Sequence, residues 1–206
     1  MPKIAAATVA EHRENVLGAL VDASERILRA GEPLTAGVVS AAAGIARNSI
    51  YRYVESVDDL RALVLERYLP GWERAVTRAL APLPDPGDRV VEWVRVNIGQ
   101  AHLTGHGWFI NMAREAPSSS AMRDLAEHAH NIMRGPLGGA WQEIVGDPAE
   151  ARLQSSLTLG LLGAAFQQLD GPIPLDQITE ATTRATRALV DAAPRQRAAQ
   201  RAAGRR

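Results

Sequence analysis

The chain has 206 residues, no cysteine, and 23 cationic side chains against 23 acidic ones. The absence of cysteine excludes a disulfide framework and thiolate metal sites. Zero net charge excludes binding a polyanion by bulk charge alone. No run of about 18 apolar residues occurs, and the N-terminus has no charged-then-apolar leader pattern. The expectation is therefore a soluble, cytoplasmic protein with no membrane partner.

Charge is unevenly spread. Residues 1–70 carry eight Lys/Arg and nine Asp/Glu, residues 71–193 carry ten and fourteen, and residues 194–206 carry five arginines and no acid. Lys3 is the one lysine. Any nucleic-acid case must therefore rest on a motif.

The pattern is helical nearly throughout. Ala, Leu, Arg and Glu dominate, and strand-like alternation is rare. Residues 1–10 are small and irregular and are expected to be disordered. From Glu11 to Ala30, Val16, Leu17, Leu20, Ala23, Ile27 and Leu28 fall on one helical face. Gly31 is placed to end that helix. Thr35 is an N-cap candidate for a short helix over 36–42. Ala43-Gly44-Ile45 reads as a turn, and a second short helix is expected from Ala46 to Tyr53. Ser56-Val57-Asp58-Asp59 is a capping box in its acidic form, opening a longer helix with Leu60, Leu63, Val64 and Tyr68 on one face. Pro70-Gly71 interrupts this pattern, either as a hinge or as a plain break, before it resumes at Trp72, Val76 and Leu80.

Prolines 82, 84 and 86 with Gly87 form a loop. Helices are expected over 88–103, 106–114 and 120–145. Another spans 148–169, started by Asp147-Pro148, and the last covers 175–193. The Arg/Ala/Gln tail from Pro194 has nothing to pack against and is expected to be disordered. The domain reading is 11–70 for a DNA-binding unit and 71–193 for a regulatory and dimerisation unit.

The informative stretch runs from Thr35 to Leu60. A helix-turn-helix needs a buried aliphatic in its first helix, here Val39, and a small, conformationally free turn, here Ala43-Gly44. Its second helix needs one inward apolar residue, here Ile50, with polar residues facing out. Arg47, Asn48, Ser49 and Arg52 supply that polar face. Thr35, Val39, Ala43-Gly44-Ile45, Ser49-Ile50-Tyr51-Arg52-Tyr53 and Asp59-Leu60 together resemble the TetR family of transcriptional regulators, most specifically over residues 11–69. The resemblance implies an all-α fold: an N-terminal helix-turn-helix three-helix domain followed by a C-terminal helical ligand-binding and dimerisation domain. It implies phosphate contacts from Tyr51 and Tyr53, base or backbone contacts from Arg47, Asn48, Ser49 and Arg52, and a place for Thr35 at the DNA-binding surface. It also implies double-stranded operator DNA as partner, and repression relieved by a small molecule. Two positions depart from the pattern. Val57 stands where the family usually has a phosphate-contacting lysine, and Val54 where it usually has a long aromatic.

Two readings compete. One is a helical ligand-binding or interaction protein with a vestigial DNA module. The other is an enzyme, but no G-x-S-x-G, H-E-x-x-H, phosphate-loop or dinucleotide fingerprint occurs. No cofactor is expected. His102 and His106 have the i, i+4 spacing of a metal pair, but Gly105 and Gly107 weaken helix there, and no metal site is expected. Trp93, His102, Trp108, Phe109, Met112, Met133 and Trp141 are the candidate lining of a largely apolar effector pocket. In the last helix, Leu175, Ile178, Thr182, Ala185 and Leu189 form a narrow seam suited to a partner helix, and the preceding helix offers Leu157, Gly160, Leu161, Ala164 and Ala165, where small residues allow close approach. That seam is suited to a homodimer about a two-fold axis.

Overall fold

The computed structural model describes residues 4–105 and 120–203. Among them the elements are α1 (Ile4–Arg29), α2 (Ala36–Ala42), a 3-10 helix (Arg47–Arg52), α3 (Val57–Leu80), α4 (Pro86–Thr104), α5 (Ser120–Val145), α6 (Pro148–Phe166) and α7 (Leu175–Ala203). Strand is absent among the described residues. The expected helix over 106–114 lies outside them. The chain divides into two compact units, with one division between Leu69 and Pro70; within α5, residues up to Glu127 go with the first unit and those from His128 with the second.

Several helix ends differ from the sequence reading. The first helix begins at Ile4 rather than Glu11. Residues 4–10 include four alanines, the best helix former, so propensity carries the helix outward with no cap. The last helix runs through Pro194 to Ala203; alanine and arginine again favour helix over the coil expected there. α6 stops at Phe166 rather than residue 169, because Gln167 takes the cap position and its amide closes on Ala165 and Gly163. Pro70 lies inside α3, which continues to Leu80. The break reading therefore fails, although Pro70 still supplies no amide to the carbonyl of Glu66.

In the first unit, α1 buries Leu20, Val21, Ala23 and Ile27. It ends in a Schellman closure, with Gly31 at φ 71. The Gly31 amide bonds the Leu28 carbonyl, and the Glu32 amide bonds Ile27. α1 packs on α2, and α2 packs on the 3-10 helix. α3 buries Leu60, Ala62, Val64, Leu65 and Leu69 in this unit. A polar cluster ties α3 to α1. Arg67 Nη1 lies 2.6 Å from Asp22 Oδ1 and 3.4 Å from Glu25 Oε2. The Tyr68 hydroxyl donates to Glu25 and accepts from Arg29 Nη2 at 2.7 Å.

Burial alone would raise the Glu25 carboxyl, but hydrogen bonds from Tyr68, Arg29 and Arg67 outweigh it and hold it below its usual value. A depressed carboxyl stabilises the fold above the unfolded value, about 4.3, and that stability is lost as pH falls through the folded value. Glu25→Gln should therefore be less stable than wild type at pH 7, with the gap closing below about pH 4. Urea midpoints at pH 7 and pH 3 check this, and an equal gap at both would show that the carboxylate charge contributes nothing.

In the second unit, α4 packs against α6 and α7, and α6 packs against α7. α4 starts where Asp85 caps the Asp88 amide at 2.8 Å, with Pro86 at the first turn. Its N-terminus lies hard against α7: a Cβ on Gly87 would come within 2.7 Å of Val190 Cγ1. Trp93, Val94, Ile98, Leu137, Trp141 and Leu162 form the core. Asp147 caps α6 at the Ala149 and Glu150 amides, as Asp147-Pro148 implied.

Candidate nucleic-acid interface and effector site

Thr35 adopts extended backbone, φ −127 and ψ 153, and its hydroxyl accepts from the Val38 amide at 3.3 Å. Its side chain thus starts α2. That helix closes by a second Schellman arrangement, Gly44 amide to Ala41 and Ile45 amide to Ser40, with Gly44 at φ 72. The left-handed φ is why a glycine must follow the helix here. Val39 and Ile50 are both fully buried, so the two short helices are pinned to each other by the two aliphatics that the motif requires.

The second of them is a 3-10 helix over Arg47–Arg52, not the α-helix expected from Ala46 to Tyr53. Ala46 offers no side-chain cap, and one short turn between a Schellman closure and the Ser56 box has little room for the wider α ladder. With three residues per turn, Asn48 and Tyr51 fall in one row. Both are exposed, Tyr51 at 57%, while Tyr53 is half-buried. The two tyrosines therefore do not share a core-facing side. Arg47 and Arg52 are exposed and Ser49 is half-buried. Among the described residues no hydrogen bond or ion pair engages the side chains of Arg47, Asn48, Ser49, Tyr51, Arg52 or Tyr53.

Between Glu32 and Glu55 the local charge of this unit is positive. Residues 33–54 contain two arginines and no acid, although residues 1–70 as a whole are slightly acidic. Asp59, the nearby carboxylate of the box, is occupied: it accepts from the Glu55 and Ser56 amides at 2.9 Å, while the Asp59 amide returns a bond to Ser56 Oγ at 3.2 Å.

The effector-site residues behave differently from one another. Trp93 is fully buried and its indole N–H has no hydrogen-bond partner among the described residues. Trp141 is also fully buried, but its N–H bonds Thr158 Oγ1 at 3.0 Å. His102 is exposed, which removes it from an interior lining. It sits in the last turn of α4, beyond the buried face that ends at Ala101. Trp108, Phe109, Met112 and the side chain of Met133 lie outside the described residues. The sequence reading missed Asn97, which is fully buried, accepts from Trp72 Nε1 at 2.8 Å and donates to the Trp93 carbonyl at 2.7 Å. Its signal was an uncharged amide four residues after Trp93, on the apolar face of α4.

Three cavities are described, of about 610, 530 and 410 Å³, and none is lined by Trp93, His102 or Trp141. The largest lies along α6 and α7, where Leu161, Ala164, Ala165, Ile178, Thr182 and Ala185 of the expected dimer seam line it together with polar residues such as Gln168, Gln177, Glu180 and Arg184. Threonine hydroxyls on α7 are satisfied within the helix. Thr179, Thr182, Thr183 and Thr186 each donate to the carbonyl four residues back. This leaves their methyl groups to pack without a polar penalty. Leu153 and Leu157 stand 57% and 47% exposed on α6.

No protein-family model matches the chain, and no curated protein matches it by sequence. Solved structures do match by fold. AibR, in complex with isovaleryl coenzyme A and operator DNA, superposes at TM-score 0.65 with 13% identity, over 82% of this chain and 96% of that one. The TetR-family regulator PfmR from Thermus thermophilus gives 0.63 and 14%, over 81% and 96%. A TetR-family regulator from Streptomyces coelicolor gives 0.63 and 18%, over 87% and 80%. With a helix-turn-helix near the N-terminus, helices through the rest and no strand among the described residues, the chain has the fold of the TetR-family transcriptional regulators.

Proposed function

We propose that the protein is a sequence-specific DNA-binding transcriptional regulator, a repressor that leaves its operator when a small molecule binds. The observation that carries this reading is the 3-10 helix of residues 47–52. Its inner residue Ile50 is clamped in the core, and its outer side chains Arg47, Asn48, Tyr51 and Arg52 are exposed and unengaged in an acid-free stretch. A protein that only needed this turn for packing would have no use for two unpaired arginines and an exposed tyrosine together.

The DNA-binding unit is residues 11–70 and the regulatory unit residues 71–193. Arginine makes the commonest specific base contact, bidentate to guanine, so Arg47 or Arg52 reads bases. Tyr51, Tyr53, Ser49 and Thr35 position the backbone. The effector is largely apolar, and the Trp93 indole N–H is its candidate polar anchor, although none of the described cavities reaches it. A buried N–H with nothing to bond costs about 1–3 kcal/mol, a cost that an acceptor atom on a bound molecule would relieve. AibR, of the same fold, was crystallised with both a coenzyme A thioester and operator DNA, which supports a ligand-responsive regulator of this architecture. A cytoplasmic location fits a DNA partner; no helix among the described residues is long and apolar enough to cross a membrane.

The test is selection of bound sequences from random DNA, followed by mobility shifts. Replacing the base-reading arginine, Arg47 or Arg52, by Ala should weaken the selected site by about 1–3 kcal/mol and relax preference at one base pair. Tyr51→Phe should weaken all sequences about equally. No selected sequence at all would defeat the reading. A changed preference from Tyr51→Phe with none from either arginine would reverse the roles.

A further inference from the structure

Between α5 and α6 lies an open groove of about 410 Å³ that none of the readings above uses. Its lining is unlike that of the seam. Arg134 and Gln142 come from α5, and Arg152, Ser155 and Ser156 from α6, with Gly138, Pro148, Ala151 and Leu159 filling the walls. No carboxylate lines it. Neither Arg134 nor Arg152 makes an ion pair or hydrogen bond among the described residues, and the same holds for the Gln142 amide and the Ser156 hydroxyl. The nearby acids are directed elsewhere: Glu143 pairs with Arg89, and Asp147 is committed to the cap of α6.

We propose that this groove binds a small organic phosphate ester through the Arg134 and Arg152 guanidiniums, one from each helix of the hairpin. Two arginines that pair with no acid among the described residues line one groove, so both guanidiniums are available to the same anion. The donors also count in favour of phosphate over carboxylate. A carboxylate is filled by one bidentate guanidinium, whereas a phosphate monoester presents three oxygens and can engage two guanidiniums with the Gln142 amide and Ser156 hydroxyl. Ser155 donates to the Ala151 carbonyl at 2.8 Å, so it is left as an acceptor for a hydroxyl on the ligand. The groove lies within the range of small-molecule sites and is larger than inorganic phosphate needs. Pro148, Ala151 and Leu159 offer the surplus volume an apolar wall suited to a carbon skeleton. The assignment does not depend on the DNA reading.

Full-length protein would be titrated with glycerol 3-phosphate, and separately with inorganic phosphate, at constant ionic strength set by chloride, by calorimetry and amide NMR. Glycerol 3-phosphate should bind more tightly than inorganic phosphate and should move the amides of Gln142, Ala151 and Ser156. Arg134→Gln and Arg152→Gln are exposed helix positions and should melt like wild type without ligand. Each should weaken glycerol 3-phosphate about tenfold, the scale expected for one charged hydrogen-bonding partner. Wild-type affinity in both variants, or amide shifts confined to residues outside the hairpin, would overturn the site. Inorganic phosphate binding as tightly as the ester would overturn the organic part of the assignment.

Discussion

On the proposed two-fold bundle of α6 and α7, Ala164→Glu should leave the protein monomeric and weaken binding to a palindromic site by about a hundredfold to ten-thousandfold. Ala164 is exposed on α6 and lines the open apolar groove shared with α7. In the isolated chain the new carboxylate would stay in water, so helix content and melting should change little. In a two-fold bundle of these hairpins the same carboxylate would be buried opposite its symmetry mate or against the apolar part of the groove, whose Arg184 is already paired with Glu180, and a desolvated charge there opposes association. The groove is already suited to burial. Its threonine, Thr182, satisfies its hydroxyl within the helix, and leucines 153 and 157 extend the apolar stripe along α6. Losing the dimer removes the second half-site as an intramolecular event, and that multiplication of affinity, rather than any single contact, is what disappears. Half-sites read by a dimer lie about 34–36 Å apart or multiples of that, so base preference within each half should be unaltered. Sedimentation at micromolar protein and binding to full and half operators check this. A dimeric variant, or a monomer that binds the full operator as wild type does, would show that the seam is not the interface.

Trp141→Ala should cost about 3–5 kcal/mol of folding stability, the range for deleting a buried aromatic. Trp141 is fully buried, and its indole N–H closes on Thr158 Oγ1, which itself donates to the Gln154 carbonyl at 2.9 Å. The substitution empties volume in the core of the second unit and strips Thr158 of its donor, so cavity and hydrogen-bond terms add. Trp141→Phe retains most of the ring and loses only the N–H, so about 1–2 kcal/mol is expected. Equilibrium denaturation of the two variants separates the terms. A loss under about 1 kcal/mol for Trp141→Ala would mean that the side chain borders open space, since a packed site does not yield its contents so cheaply. That result would return Trp141 to the effector lining, where its size and polarity alone had put it. Trp93 is the contrast: equally buried, yet with an N–H that has no hydrogen-bond partner among the described residues.

The local grammar of the DNA-binding end was legible because its rules act over a few residues. Thr35 had to cap α2, Gly44 had to take a left-handed φ, and Ser56 had to exchange bonds with Asp59, whatever the rest of the chain did. Val39 and Ile50 were identifiable as inward because a two-helix motif leaves each short helix only one apolar anchor. Spacing along α6 and α7 likewise showed which residues share a face, but Ala165 and Ile178 of that stripe are buried within the single chain. Tertiary packing decided what periodicity cannot express. Whether a buried tryptophan is satisfied, like Trp141, or orphaned, like Trp93, depends on which atom of another helix arrives beside its N–H. Asn97 reads in sequence as a polar interruption and becomes the link between Trp72 and the Trp93 carbonyl only when α3 and α4 meet. Arg134 and Arg152 are 18 residues apart and carry no shared sequence signal. They come to line one groove because the α5–α6 hairpin folds back on itself, a pairing of distant residues that only the assembled unit can make.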